Sequence, residues 1–338
     1  MSQLKFKLNL EPKRSAHPIH YEDKIFLIGS CFTENIGSKL SSQLFSVHEN
    51  PHGILFNPVS VVKALQDCME LKQYQSSDLF LHNEVWNSWN HHSRFSGITQ
   101  EGALDKINTA IQSGHTYLKS ANHLVITLGS AWLYQLTTTA PLSQGQAVAN
   151  NHKAPAQWFN KALLTPTDLL KLLNDLVFAI KQFNPKLNII FTISPVRHLR
   201  EGLIENNRSK AVLIQAVHDL IALHDQVDYF PAYEYVIDDL RDYRFYAEDL
   251  VHPNYAATQY VWEKLMETYF SEETQQIMKQ VAEIQLAIQH KPFFKASLAH
   301  QEFLQKALQK TNHLLDKYPF LPLQKHQSFF VSELANKA

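Results

Sequence analysis

The sequence predicts an α/β fold: a mostly parallel central sheet covered by helices on both faces, followed by a helical appendage. Three observations predict it. Short apolar runs (Ile25-Phe-Leu-Ile, Leu124-Val-Ile-Thr-Leu, Leu187-Asn-Ile-Ile-Phe-Thr-Ile and Val227-Asp-Tyr-Phe) have strand length, and runs of this kind read as strands buried on both faces. Amphipathic helix patterns alternate with them, which calls for parallel pairing through helical crossovers. From Ser271 onward the strand runs stop and two helical stripes remain, Ile277, Val281, Ile284 and Ile288, then Phe303, Leu304, Leu308 and Leu315. The expected division is therefore a sheet domain over 1–270, with an inserted loop segment at 79–97, and a helical extension over 271–338 packed on it.

Each element follows from its local pattern. Ile25–Ile28 runs into Gly29-Ser30, and Ile36, Gly37, Leu40 and Leu44 then recur at helical spacing. Phe45–Gly53 reads as a short strand ending in a glycine. Asn57-Pro58 opens a helix to about Glu70, with Asn57 as N-cap and Pro58 at the first helical position. Residues 79–97 are rich in aromatics and histidine and predict a loop or short hairpin over the sheet edge. There Trp86, Trp89, His91 and His92 serve either packing or a sugar-like or acyl pocket. A helix over about 101–119 precedes the second strand, His123–Gly129. Trp132–Leu136 and Gln146–Ala149 are expected to pair as a small hairpin. Thr165-Pro-Thr-Asp168 starts a helix in the manner of a capping box, and Leu187–Ile193 is the third strand. A helix over about 207–224, the strand Val227–Phe230 and a helix from Asn254 towards Phe270 complete the domain.

Composition narrows the function classes. The chain has 338 residues, 45% hydrophobic and 19% charged, and 31 Lys plus Arg against 32 Asp plus Glu leave a net charge of −1. No surplus of positive charge points to nucleic acid or an acidic membrane. The apolar runs are too short to span a bilayer, and Met1–Lys7 lacks the apolar core of a signal peptide, so a cytoplasmic location is expected. Two cysteines, Cys31 and Cys68, are too few for a disulfide scaffold. Eighteen histidines raise the question of a metal, but no His-x-x-x-His or Cys-x-x-Cys spacing occurs. No metal or other cofactor is expected.

Two features carry chemistry. Ser30 stands where a buried parallel strand hands over to a helix, the edge at which open α/β sheets place their ligand sites. The simpler reading is that Ser30 or Thr33 only caps that helix. Far downstream, Asp249 and His252 lie three residues apart just before a helix. That spacing lets the carboxylate hold His Nδ1–H and leaves Nε2 free as a base, which a serine hydroxyl needs to become a nucleophile. Cys31 carries the intrinsically stronger nucleophile. Its position one residue after Ser30 turns its side chain toward the core, which leaves Ser30 the better candidate.

Gly29-Ser30-Cys31-Phe32 closely resembles the signature of the GSCFA family, a branch of the SGNH/GDSL hydrolase-like superfamily. The resemblance extends through Asn50-Pro-His-Gly-Ile-Leu-Phe-Asn-Pro58, Trp89-Asn-His-His-Ser93, Asn150-Asn-His-Lys153, Ser194-Pro-Val-Arg197 and Tyr243–Pro253, and covers roughly the first 270 residues. It implies a three-layer α/β/α sandwich with Ser30 as nucleophile, His252 as base and Asp249 as its orienter. It also implies that the backbone N–H groups of Ser30 and Gly53 form part of an oxyanion hole. Two departures stand out. Gly129-Ser130-Ala131-Trp132 replaces the usual Gly-x-Asn-Asp, and Asn151 stands where the pattern has cysteine. The amides of Asn57 and Asn150 are the candidate replacement donors, and Trp89, His91, His92, His152 and Arg197 are the substrate-binding candidates.

The leading expectation is a serine hydrolase of the SGNH type cleaving an acyl ester, a small molecule or a carbohydrate ester. A ligand-binding pseudoenzyme that recognises a sugar or acylated ligand is the alternative. A metal-dependent site drawing on His91, His92, His152 or His198 is the third. Protein partners are left open.

Overall fold

A computed structural model describes residues 8, 10–142 and 145–335. The expectation about a signal peptide falls on Met1–Lys7, outside the described residues. In chain order the elements are β1 (Lys24–Gly29), α1 (Cys31–Ser42), β2 (Ser46–Glu49), α2 (Pro58–Glu70), β3 (Phe80–His82), β4 (Val85–Asn87), α3 (Gln100–Ser120), β5 (His123–Leu128), β6 (Trp132–Leu136) and β7 (Phe159–Leu163). There follow α4 (Pro166–Phe183), β8 (Asn188–Ile193), α5 (Leu203–Ile221), β9 (Val227–Phe230), the short α6 (Ala232–Glu234), α7 (Tyr255–Tyr269), α8 (Glu272–Gln289), α9 (Leu298–Lys317) and α10 (Gln324–Ala335).

Five strands form one parallel sheet in the order β2-β1-β5-β8-β9. Alternate residues of each strand enter opposite cores, as a pleated strand requires. Ile25, Leu27, Val125, Ile190 and Phe230 face α1 and α7, while Phe26, Ile28, Leu124, Ile126, Phe191 and Val227 face α2, α4 and α5. Both faces are apolar because both are covered, and the predicted α/β architecture holds. The C-terminal helices lie over the first face: Ile277, Val281 and Ile284 of α8, Leu304 and Leu314 of α9 and Phe330 of α10 join its core. No helix among the described residues is long and apolar enough to cross a membrane.

The 79–97 segment contains an antiparallel hairpin, β3 with β4, turned by Asn83 and Glu84 in left-handed conformation. The expected pairing of Trp132–Leu136 with Gln146–Ala149 is present: Gln135 and Ala147 form an antiparallel bridge, Leu136 N–H donates to Gln146 O at 2.9 Å and Val148 N–H to Tyr134 O at 2.8 Å. On its other edge β6 pairs along its length with β7, a partner not expected from the sequence. Phe159–Leu163 is half-exposed and not continuously apolar, so its sequence gave no strand signal; β6 supplied its register. The helix expected at 207–224 begins earlier, at Leu203, after Gly202 in a positive-φ conformation.

Because the chain lays down β1 and β2 on one side and β5, β8 and β9 on the other, the strand order reverses between β1 and β5. In doubly wound sheets the crevice beyond the carboxyl ends of such a strand pair is the ligand position.

Candidate active site

The strand-end row fixes where the chemistry stands. Gly29 is in register with Thr127 and Leu128 with Ile193. The ladders continue past the strand ends: Ser30 N–H donates to Thr127 O at 3.2 Å and Ser194 N–H to Leu128 O at 2.9 Å. Ser30, Gly129 and Ser194 are thus neighbours at the carboxyl edge. Gly29 is required for this geometry. Its φ is +136°, and a Cβ there would lie 2.1 Å from Thr127 O. Asn50, itself left-handed at φ 45°, accepts the Gly29 N–H at 2.9 Å. Arg94 ties this corner together, donating to Asn50 O at 2.6 Å and to Glu34 in the first turn of α1 at 2.8 Å.

Ser30 occupies the N-cap position of α1, yet its side chain makes no capping hydrogen bond. The hydroxyl is 1% exposed and has no hydrogen-bond partner among the described residues, nor does that of Thr33. An unpartnered buried hydroxyl costs on the order of 1–3 kcal/mol and calls for an explanation other than capping. The neighbouring Cys31 thiol is raised above its ordinary range by burial.

Asp249 and His252 form the pair their spacing predicts. Asp249 Oδ1 accepts the N–H groups of Val251 (2.9 Å) and His252 (3.0 Å), while Oδ2 holds His252 Nδ1 at 2.6 Å. Hydrogen bonds from the His252 N–H, its ring and the Val251 N–H hold the Asp249 carboxyl down at about 2, so it is a carboxylate at any ordinary pH. The carboxylate bond fixes the tautomer with hydrogen on Nδ1 and leaves Nε2 as acceptor. Arg197 anchors the loop, its N–H meeting Val251 O at 3.2 Å and its guanidinium Leu250 O at 3.0 Å. The guanidinium lies over the Tyr246 ring at 4.0 Å. Arg197 therefore supports the loop that carries His252. No hydrogen bond joins His252 to Ser30 in this arrangement.

Three of the four expected oxyanion donors are engaged elsewhere. Ser30 N–H serves Thr127 O, and Gly53 N–H donates to Asn50 O at 2.8 Å. Asn57 caps α2 by accepting Ser60 N–H at 2.8 Å and spends its amide N–H on Val148 O at 3.1 Å. Asn150 accepts His152 N–H at 2.8 Å, a turn contact. It also lines a cavity of about 210 Å³ with Phe56, Ser130, Trp132, His198 and Arg200.

The remaining substrate-binding candidates separate. Trp89 is 2% exposed, stacked on Phe80 with centroids 3.7 Å apart, and donates to Pro141 O, so it is core. His91 is buried and stacked on His52 at 4.2 Å, with Nδ1 on Ser88 Oγ at 2.9 Å. His52 in turn bonds Asp67 at 3.1 Å, whose carboxylate also takes Lys63 and the Tyr74 hydroxyl. His152 Nε2 bonds Ser88 O at 2.8 Å. Burial pushes His52, His91 and His152 below their ordinary 6.5, His152 to about 4, so all three are neutral rings. His92 is half-buried against Gly53, where a Cβ would lie 2.2 Å from that of His92. No group of three or more His, Cys, Asp or Glu among the described residues converges as a metal site.

One residue escaped the sequence reading. Lys210 of α5 is 1% exposed, and its Nζ donates to Gly129 O at 2.7 Å and Ser194 O at 2.6 Å. Burial lowers its ammonium to about 7. The signal was a lysine on the apolar stripe Leu213, Val217 and Leu220 of its own helix. Beside it, Ser209 Oγ accepts Ala131 N–H at 2.7 Å and contacts Ser130 Oγ at 3.1 Å.

Comparison with known proteins gives a family. The model of the GSCFA family matches residues 24–265, and that of the GSCFA domain protein, C-terminal domain, matches 281–336. Among curated proteins no relative matches. Solved structures similar to the chain include an acetyl xylan esterase (Est2A) from the rumen bacterium Butyrivibrio proteoclasticus, at 10% identity and TM-score 0.37, covering 74% of this chain and 63% of that one. A family 3 carbohydrate esterase from Clostridium thermocellum is similar at 10% identity and TM-score 0.32, over 77% and 98% of the two chains. Another family 3 carbohydrate esterase, from Talaromyces cellulolyticus, is similar at 10% and 0.32, over 76% and 98%. Likeness of this degree transfers no activity.

Proposed function

The chain belongs to the GSCFA family, and from that premise we propose that it is a serine hydrolase of acyl esters, acting on a short acyl group carried by a carbohydrate or other small alcohol. The observation that carries this reading is the Asp249–His252 pair: a carboxylate 2.6 Å from Nδ1, with Nε2 free, on a loop anchored beside the end of β8. Ser30, with an unpartnered hydroxyl at the strand-order reversal, is the nucleophile this base would serve.

In the proposed reaction Ser30 Oγ bonds to the ester carbonyl carbon as its proton passes to His252 Nε2, and the carbonyl electron pair moves onto oxygen. Collapse of that oxyanion expels the alkoxide, which takes the proton from His252. Water, deprotonated by the same nitrogen, then releases the acid and restores Ser30. Substrate binding must bring Oγ and Nε2 together, and such catalytic hydrogen bonds are often unmade before substrate arrives. The cavity beside Ser130, walled by Phe56 and Trp132 with Asn150 and Arg200 at its polar side, is the proposed alcohol subsite.

A second reading, a ligand-binding pseudoenzyme, is favoured by the engagement of the Ser30, Gly53 and Asn57 donors. A fluorophosphonate probe with mapping of the modified residue separates the two. The hydrolase requires covalent modification of Ser30. A clean Ser30, with label on Cys31 or nowhere, refutes it.

A further inference from the structure

Acyl transfer places a full negative charge on oxygen, and preorganised positive potential at that spot is the largest single source of rate in such sites. Three of the four expected donors are spoken for, Ser30 N–H by Thr127, Gly53 N–H by Asn50 and the Asn57 amide by Val148, while Asn150 lines the cavity beside Ser130 with only its Oδ1 engaged among the described residues. The strand-end row nevertheless contains a strong positive group. Lys210 Nζ bridges the carbonyls of Gly129 and Ser194, the two residues that follow β5 and β8. Ser30 follows β1 on one side of that pair, and the loop bearing His252 hangs from Arg197 on the other. Lys210 therefore lies beneath the middle of the crevice, between the proposed nucleophile and its base.

Two further observations set this lysine apart from an ordinary core residue. An ammonium has three N–H groups and the two carbonyls take two of them. No carboxylate among the described residues forms an ion pair with it, although a buried charge is normally paired. The titratable groups that feel its charge include Cys31 at the start of α1 and His198 beyond β8, and the Tyr233 ring lies 5.8 Å away on the side of β9. None of these is an anion at neutral pH, so its positive field has no counter-charge and extends into the crevice. The start of α1 adds the positive end of a helix dipole in the same place.

We propose that Lys210, in its charged form, is the electrostatic support of the oxyanion in this site, taking the role that a side-chain amide on the Gly129–Trp132 loop would otherwise fill. It acts through the Gly129 loop and through its field and transfers no proton, so it is a positioning residue. This rests on the hydrolase reading. Charge on Lys210 is lost as pH rises through about 7, so the proposal ties the reaction rate to an alkaline loss that a purely structural lysine would not produce.

The test is the rate of fluorophosphonate labelling at Ser30, and of turnover of a neutral aryl ester, from pH 5 to 10 for the unmodified protein and Lys210→Met. The unmodified protein should show a descending alkaline limb. K210M should still be labelled at Ser30, about 10²–10³-fold more slowly, with the loss in kcat rather than KM and without the alkaline limb. K210M labelled at the unmodified rate, or keeping the same alkaline limb, overturns the proposal. Should K210M fail to fold, the unmodified profile decides: a rate that climbs steadily to pH 10 overturns it, and a descending limb supports it. Unmodified protein that takes no label on Ser30 at any pH overturns the hydrolase reading and this proposal together, an outcome distinct from a labelled Ser30 indifferent to Lys210.

Discussion

Of the Asp–His pairs in this molecule, Asp67–His52 and Asp249–His252 differ in almost every respect except composition. Asp67 and His52 are fully buried, 3.1 Å apart, and locked by Lys63, Tyr74 and the stacked ring of His91. Asp249 and His252 are 2.6 Å apart on a loop and about half-exposed, at 48% and 52%. In the buried pair the Asp67 carboxylate bonds Nε2, and the remaining ring nitrogen, Nδ1, meets nothing. In the exposed pair the carboxylate takes Nδ1, and Nε2 has no hydrogen-bond partner among the described residues. An imidazole that must exchange protons needs a free nitrogen and access to water or substrate. One sealed from water keeps a single protonation state and serves as architecture. The same two residue types thus make a supporting post in one place and a candidate base in the other.

The largest effect that would break this comparison is on chemistry. Ser30→Ala and His252→Ala should each reduce ester turnover by on the order of 10⁴–10⁶-fold, and the double variant should lose hardly more, because nucleophile and base act as a unit. Losses that multiply in the double variant would show that the two do not work together. Asp249→Asn should cost about 10⁴-fold by disturbing the tautomer, with the denaturation midpoint unchanged because the pair is solvated.

The buried pair should respond in the opposite way. Asp67→Ala leaves the neutral His52 ring and the Tyr74 hydroxyl buried without their acceptor, and each stranded group costs about 1–3 kcal/mol. Urea denaturation should show that loss, while the fraction still folded keeps its Ser30 labelling rate. A stable Asp67→Ala protein with lost labelling would make His52–Asp67 the working pair.

The pairs also part company in acid. His52, His91 and His152 have folded values depressed below 6.5, so between 6.5 and those lower values the unfolded chain binds more protons than the folded one. Their contribution to stability is complete above about 6.5 and lost as pH falls through the folded values, near 4 for His152. Each can contribute a slope of about 1.4 kcal/mol per pH unit inside that window. Urea midpoints at pH 7 and 5 should fall accordingly, and His91→Phe should flatten the fall. Asp249, ionised down to about 2, should add nothing there.

How much of this was legible in the sequence follows the same line. The parallel sheet was readable because Ile25–Ile28, Leu124–Leu128 and Ile189–Ile193 are buried on both faces and so are apolar without alternation. The Asp249–His252 contact was readable because it is local, three residues within one loop. The Asp67–His52–His91 network was not, since its members come from three segments and each looks like an ordinary polar residue of a helix or loop. β7 was hidden for a related reason: its pairing comes from β6, not from its own composition. Asn57 was half-legible. Its Pro58 neighbour announced the cap, but the bond from its amide to Val148 joins residues far apart in the chain.

Asn57 gives the smallest and most discriminating effect. Its side chain has two tasks in the structure, accepting Ser60 N–H and donating to Val148 O. Serine can cap a helix equally well but cannot supply the amide donor. Asn57→Ser should therefore keep α2 capped and lose one buried hydrogen bond, a loss of about 1–3 kcal/mol for the stranded carbonyl. Asn57→Ala loses the cap as well and should be less stable by roughly another 1 kcal/mol. Neither change touches Ser30, Asp249 or His252, so labelling of Ser30 should stay within about threefold in both, less than one unit of 1.4 kcal/mol in barrier. A drop of 10² or more in Asn57→Ser, with the denaturation midpoint little changed, would mean that the amide leaves Val148 during the reaction and serves the oxyanion. That result would shift the electrostatic task from Lys210 to Asn57.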